Sequence, residues 1–222
     1  MYYKYLLYIC ILTSNIYCIA IIFYMKSRIA IFASGTGTNA LNITRYFRDS
    51  TDVSVALICS NNPNAPILKS IEAFGVDTYT FDRSTFYHSS GVVNHLQSLR
   101  IDVIVLAGFL WLIPENLIKV YPGKIINIHP SLLPKYGGKG MYGNHVHRAV
   151  LEANEPQSGI TIHLVDEVYD RGEILFQARC GISREENIDS LKEKIHELEY
   201  KHFPMVIESF IVNHLSQKKQ HQ

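Results

Sequence analysis

The chain has 222 residues, 47% of them hydrophobic and 18% charged. That is enough apolar material for a sizeable globular core, and it excludes a disordered chain, which would be poorer in apolar and richer in charged residues. With 21 Lys and Arg against 20 Asp and Glu, the net charge is +1. A basic footprint for nucleic acid or anionic lipid is therefore missing, and any bound anion must be held by local geometry. Cys10, Cys18, Cys59 and Cys180 show no CxxC pairing and no metal-ligand spacing, which points to a reducing compartment and away from a disulfide scaffold.

Residues 1–24 carry one charge, Lys4, and only Thr13, Ser14 and Asn15 otherwise interrupt the apolar run. Positions 5–24 are long enough to cross a bilayer as a helix. Three readings are open. One is a signal anchor, although Lys4 makes a thin charged flank and no A-x-A cleavage site follows. Another is a core helix, although no amphipathic stripe runs along it. The third is a start placed upstream of the true one, since Met25 is followed by Lys-Ser-Arg and a clean strand. The third is preferred. It divides the chain into an apolar extension (1–24), one domain (25–215) and a polar tail (216–222).

From residue 28 strands and helices alternate. Apolar runs at 28–33, 53–59, 103–107 and 125–128 read as buried strands, with a shorter strand at 77–80. Helical stretches fall at 38–47, at 65–74 before Gly75, within 85–99, and just after Pro114, a residue suited to a first helical turn. This alternation predicts an α/β domain of three layers around a mostly parallel sheet. After His129 the pattern changes. A glycine-rich loop at 137–143 leads to a helix near 146–153. Strands at 159–164 and 174–178 are joined by a turn at 166–172, short enough for an antiparallel pair, and a long helix spans 188–210.

Two segments carry chemistry. The loop Ser34-Gly35-Thr36-Gly37-Thr38-Asn39-Ala40 joins the first strand to the first helix, where backbone N–H groups bind anions and glycine allows close approach. Its spacing also fits a dinucleotide fingerprint, but the second strand ends Cys59-Ser60-Asn61 with no acid for a ribose, so a single phosphate is the simpler ligand. The plainer alternative is a tight turn with Asn39 capping the helix. The second segment is Asn127-Ile128-His129 at the end of a buried strand. Alternation puts Asn127 and His129 on one face, and an amide donor beside an imidazole suits a developing oxyanion and a mobile proton.

The run Asn127-Ile128-His129-Pro130-Ser131-Leu132-Leu133-Pro134-Lys135-Tyr136 resembles the motif of the folate-dependent formyltransferase family. The 34–39 loop, Ala107-Gly108-Phe109-Leu110 and the turn at 165–172 are similar to the branch of that family that acts on glycinamide ribonucleotide. The likeness covers roughly 28–210. It implies formyl transfer from 10-formyltetrahydrofolate, as co-substrate, to the amine of glycinamide ribonucleotide in purine biosynthesis, in the cytoplasm and without a metal. The partners it implies are these small molecules, not nucleic acid or a membrane. It further implies that Asn127 holds the oxyanion, that His129 is the general acid and that Asp170 orients it. Gly37, Thr38, Asn39 and Glu199 would bind substrate. Leu110, Trp111, Leu112 and Ile113, with Asn127 and the 166–170 turn, would bind cofactor.

This chain departs from the family at three places. The loop at 137–143 is longer, Trp111 replaces a common Arg, and Arg83 falls one position out of register with a cofactor-contacting Arg, so it is left out of the site. His145 and His147 read as loop-to-helix polar residues and not a metal pair, and His163 reads as structural. Asp170 is expected to raise the His129 pKa, adding stability that fades as pH rises. Two related enzymes compete: the methionyl-tRNA formyltransferase would need a second, basic domain, and the formyltetrahydrofolate hydrolase an N-terminal regulatory one. A non-catalytic, membrane-tethered module is the alternative from another class, disfavoured by an intact Asn127, His129 and Asp170.

Overall fold

The computed structural model describes residues 26–217 and, ahead of them, two short strands, Leu7–Tyr8 and Ile21–Ile22, that pair antiparallel. The expectations for the rest of the extension at 1–24 and for the end of the tail lie outside the described residues. Seven strands form the main sheet: β1 (Ser27–Phe32), β2 (Val53–Ser60), β3 (Asp77–Thr80), β4 (Val103–Leu106), β5 (Ile125–His129), β6 (Gln157–Leu164) and β7 (Ile174–Gly181). Their spatial order is β3-β2-β1-β4-β5-β6-β7. The first five are parallel, and β5–β6 and β6–β7 are antiparallel. The helices are α1 (Thr38–Tyr46), α2 (Pro66–Ser70), α3 (Arg83–His88), α4 (Gly91–Ser98), α5 (Glu115–Val120), α6 (Asn144–Glu152) and α7 (Ile188–Gln217). Among the described residues no helix is long and apolar enough to cross a membrane.

Most predicted elements stand within a residue or two, and two helices are broken. The stretch at 65–74 is α2 followed by a 3₁₀ turn at Glu72–Phe74, ended by Gly75 with φ 65°. The stretch at 85–99 is two helices, because Ser89 is extended (φ −140°, ψ 169°) between α3 and α4. The final helix runs on past 210 to Gln217 and carries Pro204 within it.

Each face of the sheet buries a separate core, which is why the strands read as continuous apolar runs. In β1, Ile29 and Ile31 join Ile126, Ile128, Ile160 and Ile162 beneath α1, α6 and α7. Ala30 and Phe32 point the other way, into a cluster with Phe81, Phe86 and Phe109. There Phe81 stacks on Phe86 at 4.8 Å and Phe32 meets Phe109 edge-on at 5.3 Å. Each fully buried Phe of this kind is worth about 2–3 kcal/mol in transfer from water.

The same alternation positions the site. In β5 and β6, Ile126, Ile128, Ile160 and Ile162 face α1, α6 and α7, so Asn127, His129, Thr161 and His163 share the opposite face. Register sets Asn127 directly across from His163 and His129 across from Thr161. Thr161 is buried and structural: its hydroxyl donates to the Ser131 carbonyl at 2.7 Å and accepts from the Leu133 N–H and from Gln177 Nε2. Those bonds tie the proline-flanked loop after His129 to the sheet.

The β6–β7 turn folds back tightly. A Cβ on Gly172 would stand 1.8 Å from the Leu164 carbonyl oxygen, a backbone atom that cannot rotate away. Gly172→Ala is therefore expected to cost about 3 kcal/mol or more. Gly123→Ala, at φ 63° in open space, is expected to cost only the strain of the left-handed region, about 1–2 kcal/mol. Urea unfolding of both variants checks the contrast.

Candidate active site

β1 pairs with β2 on one side and β4 on the other, so the strand order reverses between β1 and β4, where open α/β sheets bind ligands. A cleft of about 640 Å³ opens there. Every site residue expected from the sequence lines it: Gly37, Thr38 and Asn39 from the first loop, Leu110–Ile113 after β4, Asn127 and His129 on β5, Asp170 in the β6–β7 turn and Glu199 on α7.

The loop after β1 is held open by its surroundings. Ser34 donates its N–H to the Gly108 carbonyl, and its hydroxyl accepts the Leu110 N–H, joining the two sides of the switch point. Gly37 sits at the α1 N-cap in the left-handed conformation, φ 65°. Its missing side chain makes room for Ile67, since a Cβ there would come within 2.5 Å of that buried side chain. A bulkier residue at 37 would thus break packing before it blocked a phosphate, so this position does not isolate the phosphate contact. The capping alternative for Asn39 is also corrected. The side chain does not cap α1. Its Nδ2 donates to Glu199 Oε2 at 2.8 Å, and its Oδ1 is buried without a partner.

Glu199 is buried, and desolvation lifts its carboxyl to about 7 despite the Asn39 bond that favours the ionised form. Facing it along α7 are His196 and Lys192, which the sequence reading did not single out. The spacings of four and three residues along one helix face were the available signal. His147 on α6 also lines the cleft. It is buried, its Nδ1 has no partner, and desolvation together with His196, Lys192 and His129 pushes its pKa down to about 4. His147 was read as a polar residue of the loop-to-helix junction; the structure puts it in the cleft wall. Among the described residues no group of three or more His, Cys, Asp or Glu side chains is arranged to hold a metal ion.

Asp170 joins the remaining parts. It adopts φ 55°, rare for a residue with a side chain. Its Oδ2 accepts the Gly138 N–H at 2.8 Å and stands 3.5 Å from His129 Nδ1, while Oδ1 stands 3.5 Å from His163 Nε2. The longer loop at 137–143 is thereby tied to the site through Gly138. His129 Nε2 donates to the Tyr136 carbonyl at 2.8 Å, so both ring nitrogens face acceptors. His163, read from the sequence as structural, lies within this group and meets Asn127 at 3.0 Å. Arg83, excluded on register, lies over the Trp111 ring at 4.9 Å, a cation–π contact beside the Leu110–Ile113 segment.

The electrostatics overturn one expectation. Burial lowers the His129 pKa and outweighs Asp170 and the Tyr136 carbonyl, which both raise it; His163 lowers it further. Between the folded value and the ordinary 6.5 the unfolded chain then binds more protons. The His129 contribution to stability is full above 6.5 and is lost as pH falls through the folded value, opposite to the sequence-based sign. Asp170 itself loses solvation, yet His163, His129 and the Gly138 amide together hold its carboxyl below the usual range.

The family model for "Formyl transferase" matches residues 27–207. The chain belongs to the formyl transferase family. It is 34% identical over 189 residues to a phosphoribosylglycinamide formyltransferase of Bacillus subtilis, covering 83% of this chain and 94% of that one. It is also 34% identical over 197 residues to the protein of that name from Haemophilus influenzae, covering 86% and 90%. The crystal structure of phosphoribosylglycinamide formyltransferase from Bacillus halodurans superposes with a TM-score of 0.76 at 33% identity, covering 83% and 95%.

Glu199 gives this site a distinct pH signature. Its folded pKa lies above its ordinary 4.5, so its contribution is full at low pH and is lost as pH rises from 4.5 to about 7. Glu199→Gln keeps an acceptor for Asn39 and removes the titration. The variant is expected to match wild type near pH 4.5 and to exceed it by about 3 kcal/mol at pH 8. Urea unfolding at a series of pH values measures the difference, and a constant difference would refute the assignment.

Proposed function

We propose that the protein transfers a formyl group from 10-formyltetrahydrofolate to the amine of glycinamide ribonucleotide. The observation that carries this reading is the convergence of Asn127, His129 and Asp170, from a strand end and a distant turn, beside one cleft in a chain of this family.

In this reading the substrate phosphate sits at the α1 N-terminus, where Thr38 and Asn39 line the cleft and Lys192 adds positive charge from α7. The cofactor lies against Leu110, Trp111, Leu112 and Ile113 and the 166–170 turn. The substrate amine attacks the formyl carbon, negative charge grows on the formyl oxygen, and the Asn127 amide donates to it. One such preorganised donor is worth about 3 kcal/mol. The bond from the formyl carbon to the cofactor nitrogen then breaks. The attacking nitrogen gives up one proton and the leaving nitrogen gains one. His129 delivers a proton to the leaving nitrogen and recovers the one that the attacking nitrogen sheds, and Asp170 opposes the burial that would otherwise keep the ring neutral. The reading requires no metal, a cytoplasmic setting, and small molecules as the only partners.

Steady-state assay of the full chain with both substrates is expected to show formyl transfer that persists with a chelator present. His129→Ala is expected to lower kcat by about 10²- to 10⁴-fold with little change in KM. Asp170→Asn is expected to lose kcat more than binding, and to lose more as pH rises, because His129 then loses its proton at lower pH. Activity abolished by chelation, or a His129→Ala variant at wild-type rate, would overturn this mechanism.

A further inference from the structure

We propose that His163 is a positioning residue that fixes which end of the Asn127 amide faces the formyl oxygen. This rests on the reading of Asn127 as the oxyanion donor and adds a residue to it.

The two nitrogens of the His163 ring meet different partners. Nδ1 lies 2.7 Å from the Leu164 carbonyl oxygen, which only accepts, so Nδ1 carries a proton. In the neutral ring Nε2 is then a lone pair. That lone pair lies 3.0 Å from Asn127 Nδ2, an atom that only donates. The second neighbour of Nε2, Asp170 Oδ1, stands farther off at 3.5 Å, so the closer Asn127 amide is the partner of that lone pair. The backbone carbonyl thus sets the tautomer, and the tautomer sets the amide. A turned amide would press Oδ1 against the Nε2 lone pair.

Asn127 has two N–H bonds on Nδ2. One is spent on His163, which leaves the other for the cleft that Asn127 lines. With the amide turned, a carbonyl oxygen would occupy that place and repel the developing oxyanion. The backbone supports the same pairing: Asn127 and His163 are directly opposed across β5–β6, and the β6–β7 ladder shifts register between Ile162 and His163. Such irregularities re-aim side chains near active sites. His163 is buried, so packing alone could account for the Leu164 bond, but packing does not call for the second bond to a cleft-lining amide.

The test compares full-length wild type with Asn127→Ala, His163→Asn, His163→Gln and the double variant Asn127→Ala/His163→Asn, each confirmed to unfold cooperatively. Asn127→Ala is expected to lose about 10²- to 10³-fold in kcat. His163→Asn places an amide near Nδ1 but nothing at Nε2, and is expected to lose kcat at least about tenfold with both KM values held within about twofold. His163→Gln, whose amide reaches the Nε2 position, is expected to recover most of the rate. The double variant is expected to be no slower than Asn127→Ala, since the two residues act as one unit. Nitrogen NMR of the wild-type ring is expected to show the proton on Nδ1, a readout that does not depend on any variant folding.

Wild-type turnover in His163→Asn while Asn127→Ala is impaired would overturn the positioning role and leave the Asn127 reading in place. Equal impairment of the Asn and Gln variants, multiplied losses in the double variant, or a proton on Nε2 alone would also overturn it. Full activity in Asn127→Ala would remove the oxyanion reading and this inference with it.

Discussion

The Asp170 carboxylate meets three parts of the chain that lie far apart in sequence. One oxygen takes the amide of Gly138 in the long glycine loop and faces His129 at the end of β5, and the other faces His163 on β6. A buried carboxylate is costly unless its lone pairs are answered, and here each neighbour answers part of that demand. The turn that presents it needs a left-handed residue at 170 and no side chain at 172. Strain of this kind persists only where its surroundings fix it, and it tends to gather at functional sites. Position of the acid and order of the loop therefore hang on one side chain, which also favours the charged form of His129 against its burial.

The cleft is electrostatically unfinished as it stands. Glu199 is buried enough to hold its proton up to about 7, His147 enough to lose its own down to about 4, and both Asn39 Oδ1 and His147 Nδ1 lack partners. The two unpartnered atoms depart from the rule that buried polar groups are satisfied, and Asn39, His147 and Glu199 all border one cavity. A ligand bearing a phosphate, hydroxyls and an amine would supply negative charge opposite Lys192 and hydrogen-bond partners for the orphaned atoms. The cost of burying these groups is then recovered as binding energy. Glu199 and the buried His147 pull stability in opposite directions over overlapping pH ranges, 4.5 to about 7 for the carboxyl and 6.5 down to about 4 for the imidazole, so their effects largely offset one another.

Much of this was legible in the sequence because the signals were local. Strand runs, the glycine loop, the two prolines after His129 and the alternation of Asn127 with His129 all follow from nearest-neighbour pattern, and the family resemblance carried Asp170 and Glu199 to their places. What could not be read was register. Nothing in the one-dimensional pattern sets Asn127 opposite His163, because a two-residue slip would pair Asn127 with Thr161 on the same face and the alternation of β6 permits both. His163 therefore looked like an ordinary buried histidine. The His129 pKa was misjudged for a related reason: the partner was visible in sequence, whereas the depth of burial that outweighs it was not.

The reversal of strand direction at β5 explains why the catalytic groups stand there and not along the parallel half of the sheet. Parallel strands on both sides would bury β5 under crossover helices on both faces. With β6 antiparallel, β5 gains a neighbour whose short return turn folds back over the same face. Asp170 reaches His129 through that turn, which a helical crossover of a dozen or more residues could not supply so compactly. One face of β5 and β6 remains core, through Ile126, Ile128, Ile160 and Ile162, and anchors the strands rigidly. The other face is then available for polar groups whose geometry is set by the sheet itself. Thr161 uses that face to fix the loop after His129, and Asn127 and His163 use it to hold an amide at a set angle. Rigid backbone beneath and satisfied hydrogen bonds around are what preorganise a donor, and preorganisation is where most of the catalytic effect of such a donor comes from.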